Sequence, residues 1–260
     1  VTGRRLPSGE GKTMTRFLAL ALALLMLPAA ALGQELPKPT EKGVKALDEL
    51  IGSALKAGAL KAAKKPGSGD PYFVVADAAK LKETVAANRD LLTPELRETL
   101  IGGWQIMDDV EVPFLVAVLG DFGEVMKDDR ALAFAALFQG KAEQGQLHYG
   151  EALRALQEAQ RRFGAAKDAE WQAAALNQLG ILQEELSQLD EALDSFQKAL
   201  AIYQKLHGQE HPQVAACLHN IGSVLADQGD YTQALERLGE AEKILEKTDK
   251  QGPGLADVLN

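Results

Sequence analysis

The sequence has almost no covalent means of holding itself together: one cysteine, Cys217, stands in 260 residues, which excludes an internal disulfide. In an oxidising compartment such a thiol is either buried and inert or open to a partner, and its place among apolar helix residues favours burial. Aromatic residues make up only 5% of the chain. Ala, Leu, Gln, Glu and Lys recur instead, side chains that lose little rotamer freedom in a helix, so the bias is towards helices and away from sheets. With 46% hydrophobic and 25% charged residues the chain has the apolar surface of a packed protein and is not a disordered tail.

No apolar run reaches the roughly 20 residues that span a bilayer. The longest, Phe17 to Leu27, follows Arg16 and ends in Pro28 and the small residues before Gly33, which reads as a secretory signal peptide over 14–33 with cleavage ahead of Gln34. No cysteine stands at that point to carry a lipid, so no stable membrane span is expected after cleavage. Residues 1–13 precede the first Met and read as an upstream extension. Two lookalikes go with them: Arg4-Arg5, and Gly9-Glu10-Gly11-Lys12-Thr13, a phosphate-loop ending with Leu6 where the loop needs its first Gly.

The chain also lacks excess positive charge: 28 basic residues face 37 acidic ones, for a net charge of −9. Taking away residues 1–33 removes four basic groups and one acidic group and leaves −12. That field repels nucleic acid and anionic lipid, and no basic patch with interleaved aromatics offsets it.

Catalytic groupings are missing too. There is no Gly-x-Ser-x-Gly elbow, and the pairs Glu184-Glu185 and Asp108-Asp109 read as solvated surface. His207-Gly208-Gln209-Glu210-His211 matches an inverted zinc-peptidase signature, but that chemistry needs both histidines on one continuous helix, and Gly208 and Pro212 put the segment in a turn. No catalytic residue, cofactor site or metal site is expected in this chain.

What is present is self-similarity at a long period. Leu176, Asn177, Gln178, Leu179 and Gly180, then Ala192, Phe196 and Ala199, repeat 42 residues on as Leu218, His219, Asn220, Ile221 and Gly222, then Ala234, Leu238 and Ala241. The small residues let two antiparallel helices approach, while Leu176, Leu179, Leu218 and Ile221 fill the space between. Gly229-Asp230-Tyr231 is a turn with Asp230 as N-cap. An earlier copy, offset by 40, has Gly140, Tyr149, Ala152, Leu156 and Ala159.

This pattern resembles the tetratricopeptide repeat, in the 42-residue variety of kinesin light chains and bacterial relatives, whose Gly-x-x-His-Pro connection stands here as Gly208-Gln209-Glu210-His211-Pro212. Gln183 and Leu225 occupy positions where that family often has an aromatic. The resemblance implies an all-α, right-handed superhelical solenoid of helical hairpins over 131–260, with repeats at about 131–166, 173–206 and 215–248 and the start of another at 254–260. The chain stops in mid-repeat, so a natural continuation past Asn260 is expected.

A helical region over 34–130 precedes the repeats. Val44, Leu47, Ile51 and Leu55 predict an amphipathic helix over Glu41–Lys65, broken by Pro66 to Pro71. Further helices are expected from about Asp77 to Asp90 and, capped by Thr93, from Pro94 to Met107. Phe114 to Leu119 is assigned to helix because a lone strand would lack partners.

At 100° per residue from Leu176, Asn177, Gln178, Ile181 and Glu185 fall on the far side of the first helix and Glu184 borders it. His219, Asn220, Ser223 and Asp227 take the corresponding places in the next repeat, and Asn260 starts a third. In tetratricopeptide proteins this face lines the concave groove, so the resemblance implies a scaffold that binds a protein or peptide there, its amides holding a backbone and its carboxylates favouring a basic ligand. With the signal peptide, it would act in the periplasm or outside the cell. The family also allows a second expectation, that this is the recognition part of a longer enzyme with a caspase-like peptidase domain downstream.

Overall fold

The computed structural model describes residues 36–65, 68–69, 71–104 and 111–249. The signal peptide and upstream extension, Asp108-Asp109, Met107 and Asn260 lie outside the described residues, as does the fourth repeat start at 254–260. Among the described residues no helix is long and apolar enough to cross a membrane. The fold is all-α in class, and the described residues divide into two compact units, one up to residue 138 and one from residue 139.

In the first unit, α1 (Glu41–Ala57) starts at Thr40, whose side chain accepts from the Gly43 N–H at 3.0 Å. Its apolar stripe buries Val44, Leu47, Leu50 and Ile51. The helix does not reach Lys65 as expected. It stops at Gly58, which takes a left-handed φ of 72°, and the chain continues as β1 (Leu60–Lys64), paired antiparallel with β2 (Pro71–Val75). The expectation that strands lack partners here is corrected by this hairpin. Its register sets Ala62 opposite Phe73, and the Phe73 ring, buried at 3% exposure, lies 6.0 Å from Phe114. A helix extended to Lys65 would leave that aromatic without its place in the core.

The remaining helices follow the caps. Helix α2 (Ala78–Ala87) begins at Asp77, and α3 (Pro94–Gly103) begins at Thr93 with Pro94 in its first turn. The segment Phe114 to Leu119 is helical, inside α4 (Val112–Met126). Arg97 bridges Glu98 and Asp128 at 2.8 and 2.6 Å, and Arg130 reaches the same Glu98.

From α4 onward the chain reverses at a steady interval. Helices α5 (Asp129–Gly145), α6 (Tyr149–Ala165), α7 (Ala169–Glu185), α8 (Leu189–His207), α9 (Pro212–Asp227) and α10 (Tyr231–Asp249) are separated by turns with positive φ at Lys127, Leu147, Lys167, Ser187, Gly208 and Gly229. Four of these residues carry a side chain in a region that disfavours one. Leu147, at φ 63° and 67% exposed, gains nothing from burial to offset it. Leu147→Gly should relieve about 1–2 kcal/mol of left-handed strain against about 0.5–1 kcal/mol of added chain entropy. The thermal midpoint should therefore rise slightly, and a fall would mean that the leucine makes a contact worth more than its strain.

Each hairpin of the second unit is held by a close approach at one glycine. A Cβ on Gly140 would come within 2.8 Å of Leu156, on Gly180 within 2.6 Å of Phe196, and on Gly222 within 2.8 Å of Leu238. In every case the neighbour lies sixteen positions further on, so one register governs all three hairpins. Phe196, Ala192 and Ala199 are wholly buried, and the second unit is a solenoid of helical hairpins.

Candidate functional site: the face of the first helices

Helices α5, α7 and α9 are the first helices of the three hairpins, and they place most of the expected groove residues side by side. Asn220 Nδ2 donates to Asn177 Oδ1 at 3.0 Å, and Ser223 Oγ donates to Glu184 Oε1 at 2.7 Å. On the other side, Lys141 Nζ donates to Gln178 Oε1 at 3.2 Å and Gln144 Nε2 to Glu185 Oε1 at 2.9 Å. The amides and carboxylates therefore form a polar ladder that crosses from hairpin to hairpin. They are not the independent solvated positions that a helix-face count suggests: Asn177, Gln178, Ile181, Glu184, Asn220 and Ser223 are half-buried, while Glu185, His219 and Asp227 are exposed.

The ladder changes the electrostatics expected of this face. Glu184 and Glu185 already accept hydrogen bonds, and Lys141 adds a cation on Gln178 of the same helix. Burial pushes the Lys141 ammonium below its usual range, because the charged form is the one penalised by desolvation. Neither Lys141 nor Gln144 was among the expected residues, although the 40-residue offset of the first copy carries Ile181 onto Lys141 and Glu184 onto Gln144. The signal was present in the spacing.

Cys217 lies behind the ladder, 1% exposed, with Sγ 3.9 Å from Asn177 Oδ1. Burial pushes its thiol up to about 12, so it stays protonated and inert at neutral pH. The expectation of a buried cysteine holds.

The His207–His211 segment is a joint between hairpins, with Gly208 at φ 83° ending α8. The two imidazoles are nevertheless brought together, stacked at 4.1 Å between centroids. They do different work. His207 Nε2 sits 2.7 Å from Glu170 Oε2, whereas His211 is the N-cap of α9 and its Nδ1 accepts from the Gln213 N–H at 3.3 Å. A capping Nδ1 must be unprotonated.

Burial first, and the neighbouring His207 second, hold the His211 imidazole below the usual histidine range, with Glu170 acting against them. Between the unfolded value, about 6.5, and the lower folded one, the unfolded chain binds more protons. Stability from this cap is thus present above about pH 6.5 and lost as pH falls through the folded value. His211→Asn keeps a capping oxygen and removes the titration. Thermal midpoints measured from about pH 7 to about pH 5 should fall less steeply in the variant, and identical slopes would show that His211 does not contribute.

Residues 171–247 match the family described as the tetratricopeptide repeat. Among solved structures, MamA protein shares 19% identity over 83% of this chain and 98% of its own, with a TM-score of 0.48. A protein from Podosopora anserina, described as a kinesin light chain with nearly identical TPR-like repeats, shares 16% over 84% and 99%, with a TM-score of 0.47. BtubC (BKLC) from P. vanneervenii shares 18% over 87% and 95%, with a TM-score of 0.44. No curated protein matches the chain. The matched residues take in α8, α9 and nearly all of α7 and α10, including both hairpins whose landmarks lie 42 residues apart, and residues 171–247 are tetratricopeptide repeats.

Proposed function

We propose that this protein is an exported interaction scaffold whose first-helix face binds a peptide segment of a partner protein. The observation that supports the reading most is the cross-hairpin ladder: Asn220 holds Asn177, Ser223 holds Glu184 and Lys141 holds Gln178 in fixed positions, and Asn177, Gln178, Glu184, Asn220 and Ser223 remain half-exposed. Pre-organised amides of this kind meet a backbone without the cost of ordering loose side chains. His219 and Asp227 stand exposed beside them as the adaptable contacts. Lys141, bonded to Gln178 on the helix that also carries Glu184 and Glu185, makes the face mixed in sign, which suits a polar peptide better than a strongly basic one.

The test is placement of a photo-crosslinking residue. Benzoylphenylalanine in place of His219 should trap a discrete partner in extract from the host, while the same residue in place of Lys243, exposed on α10, should trap none. Trapping from position 243 alone would overturn the assignment.

Export rests on the run from Met14 to Gly33. Mass spectrometry of the protein from its host should find a mature end near Gln34. A cytoplasmic protein that retains residues 14–33 would defeat this part of the proposal.

A further inference from the structure

The opposite side of α7 carries a feature that the ladder does not use. Between the second helices α6 and α8 lies a cleft of 880 Å³, floored by α7 through Leu176, Leu179 and Gln183. At 100° per residue this stripe points away from Asn177 and Glu185. Two residues deep in the cleft are polar: Gln183 is 7% exposed and Ser195 is 4% exposed. Ser195 Oγ donates to Gln183 Oε1 at 2.6 Å.

That bond uses the carbonyl end of the amide. The Gln183 nitrogen, with two N–H donors, meets no acceptor among the described residues. Turning the amide end for end exchanges donor and acceptor and still leaves one of them unmet. The fold does not demand an amide at this place: 42 residues on, the same position is Leu225, packed in an apolar cluster with Ile221 and Val224. Where the family often has an aromatic, this chain carries a group that needs a partner.

The rim determines what that partner can be. Arg154, Arg161 and Lys198 face Glu158, Glu191 and Asp194, three charges of each sign, and two pairs close on their own walls, Arg161 to Glu158 at 2.7 Å and Lys198 to Asp194 at 2.6 Å. A phosphate or carboxylate finds no excess of cations, and a cation finds no excess of anions. An uncharged amide fits: its carbonyl accepts from Gln183 Nε2, and its N–H donates to the lone pairs that Ser195 Oγ retains. The volume lies within the range of about 300–1,000 Å³ of ligand sites and takes several residues of peptide.

We propose that the α6–α8 cleft is a second binding site, which takes an uncharged, extended peptide segment and fixes one of its amide groups on Gln183 and Ser195. The site stands apart from the first-helix face, so either can fail without the other.

The experiment uses the full chain labelled with ¹⁵N. The Gln183 side-chain amide is identified as the resonance missing from Gln183→Leu, and wild type is titrated with N-acetyl trialanine amide, with sodium acetate and with ammonium chloride. The capped peptide should shift that resonance saturably, and Ser195→Ala should weaken its binding at least tenfold, while the two salts should leave it in place. The absence of a saturating shift would overturn the proposal and leave water as the occupant. An equal response to acetate or ammonium would overturn it in favour of an ion site. Unchanged affinity in Ser195→Ala would remove the polar floor from the argument, and because that variant loses only a hydroxyl, it decides the matter even if Gln183→Leu does not fold.

Discussion

Gly180→Leu should lower the thermal midpoint more than any other single change on the repeat helices considered above. Even a first added carbon would sit 2.6 Å from Cε1 and 2.8 Å from Cδ1 of the Phe196 ring. That ring has no exposed surface, so it cannot swing aside as a flexible side chain does. Overpacking of this kind typically costs about 1–3 kcal/mol, and leucine brings three more carbons than the Cβ alone. Gly239 is the control, since a Cβ there meets nothing within 4 Å. Gly239→Ala should be stabilising by about 0.5–1 kcal/mol, the ordinary helix preference for alanine.

The same contact can be separated from general disruption by a double-mutant cycle. Phe196→Ala alone should cost about 3–5 kcal/mol through the cavity it leaves. In the combined Gly180→Leu, Phe196→Ala protein the leucine enters the space that the ring vacated, so the two costs should not add, and a coupling of about 0.5–3 kcal/mol is expected. Additive costs would show that the two residues do not touch and that the sixteen-residue register is wrong.

How much of this was legible in the sequence differs from one element to the next, for identifiable reasons. The close approach at Gly180 could be read because the 42-residue spacing repeats glycine and alanine in register, and a packing constraint of one atom leaves a mark on one residue. The start of α9 could be read from His211-Pro212, and the end of α8 from Gly208. The β-hairpin could not. Leu60-Lys61-Ala62-Ala63-Lys64 has the composition of a helix, and it is a strand because Pro71–Val75 pairs with it and Phe73 is carried into the core. Local propensity was overridden by a partner seven residues beyond the end of the strand, and the one local sign was Gly58.

The first-helix face shows a subtler limit. Its direction follows from counting residues around one helix, and the bonds of Asn177, Gln178, Glu184 and Asn220 run to the neighbouring first helices. Their bonds across hairpins depend on how far one helix is shifted along the next, which no single helix encodes. Gln183 was visible only as a departure from a family pattern, and its pairing with Ser195 needed the two helices in place.

Loss of partner binding with the fold kept is the second large effect, and it belongs to Asn177→Ala, His219→Ala, Asn220→Ala in one protein. Removing Asn177 alone would leave the Asn220 amide half-buried without its acceptor, and such widowing costs about 1–3 kcal/mol. Removing both together deletes donor and acceptor at once, which is close to neutral in comparison. Only the weak Cys217 contact at 3.9 Å is then lost as well. His219 is exposed, where a substitution usually changes stability by no more than about 0.5 kcal/mol. The triple variant should therefore keep its helical circular dichroism and unfold within a few degrees of wild type. Affinity for the partner trapped through position 219 should fall at least tenfold, since three adjacent hydrogen-bonding groups disappear and each is worth about 0.5–1.5 kcal/mol. Unchanged affinity in a folded triple variant would place recognition elsewhere on the solenoid. A variant that unfolds early would instead show that the Asn177–Asn220 bond holds the two hairpins together, and Ser223→Ala, which leaves that bond intact and frees Glu184, would then measure what the ladder contributes to binding alone.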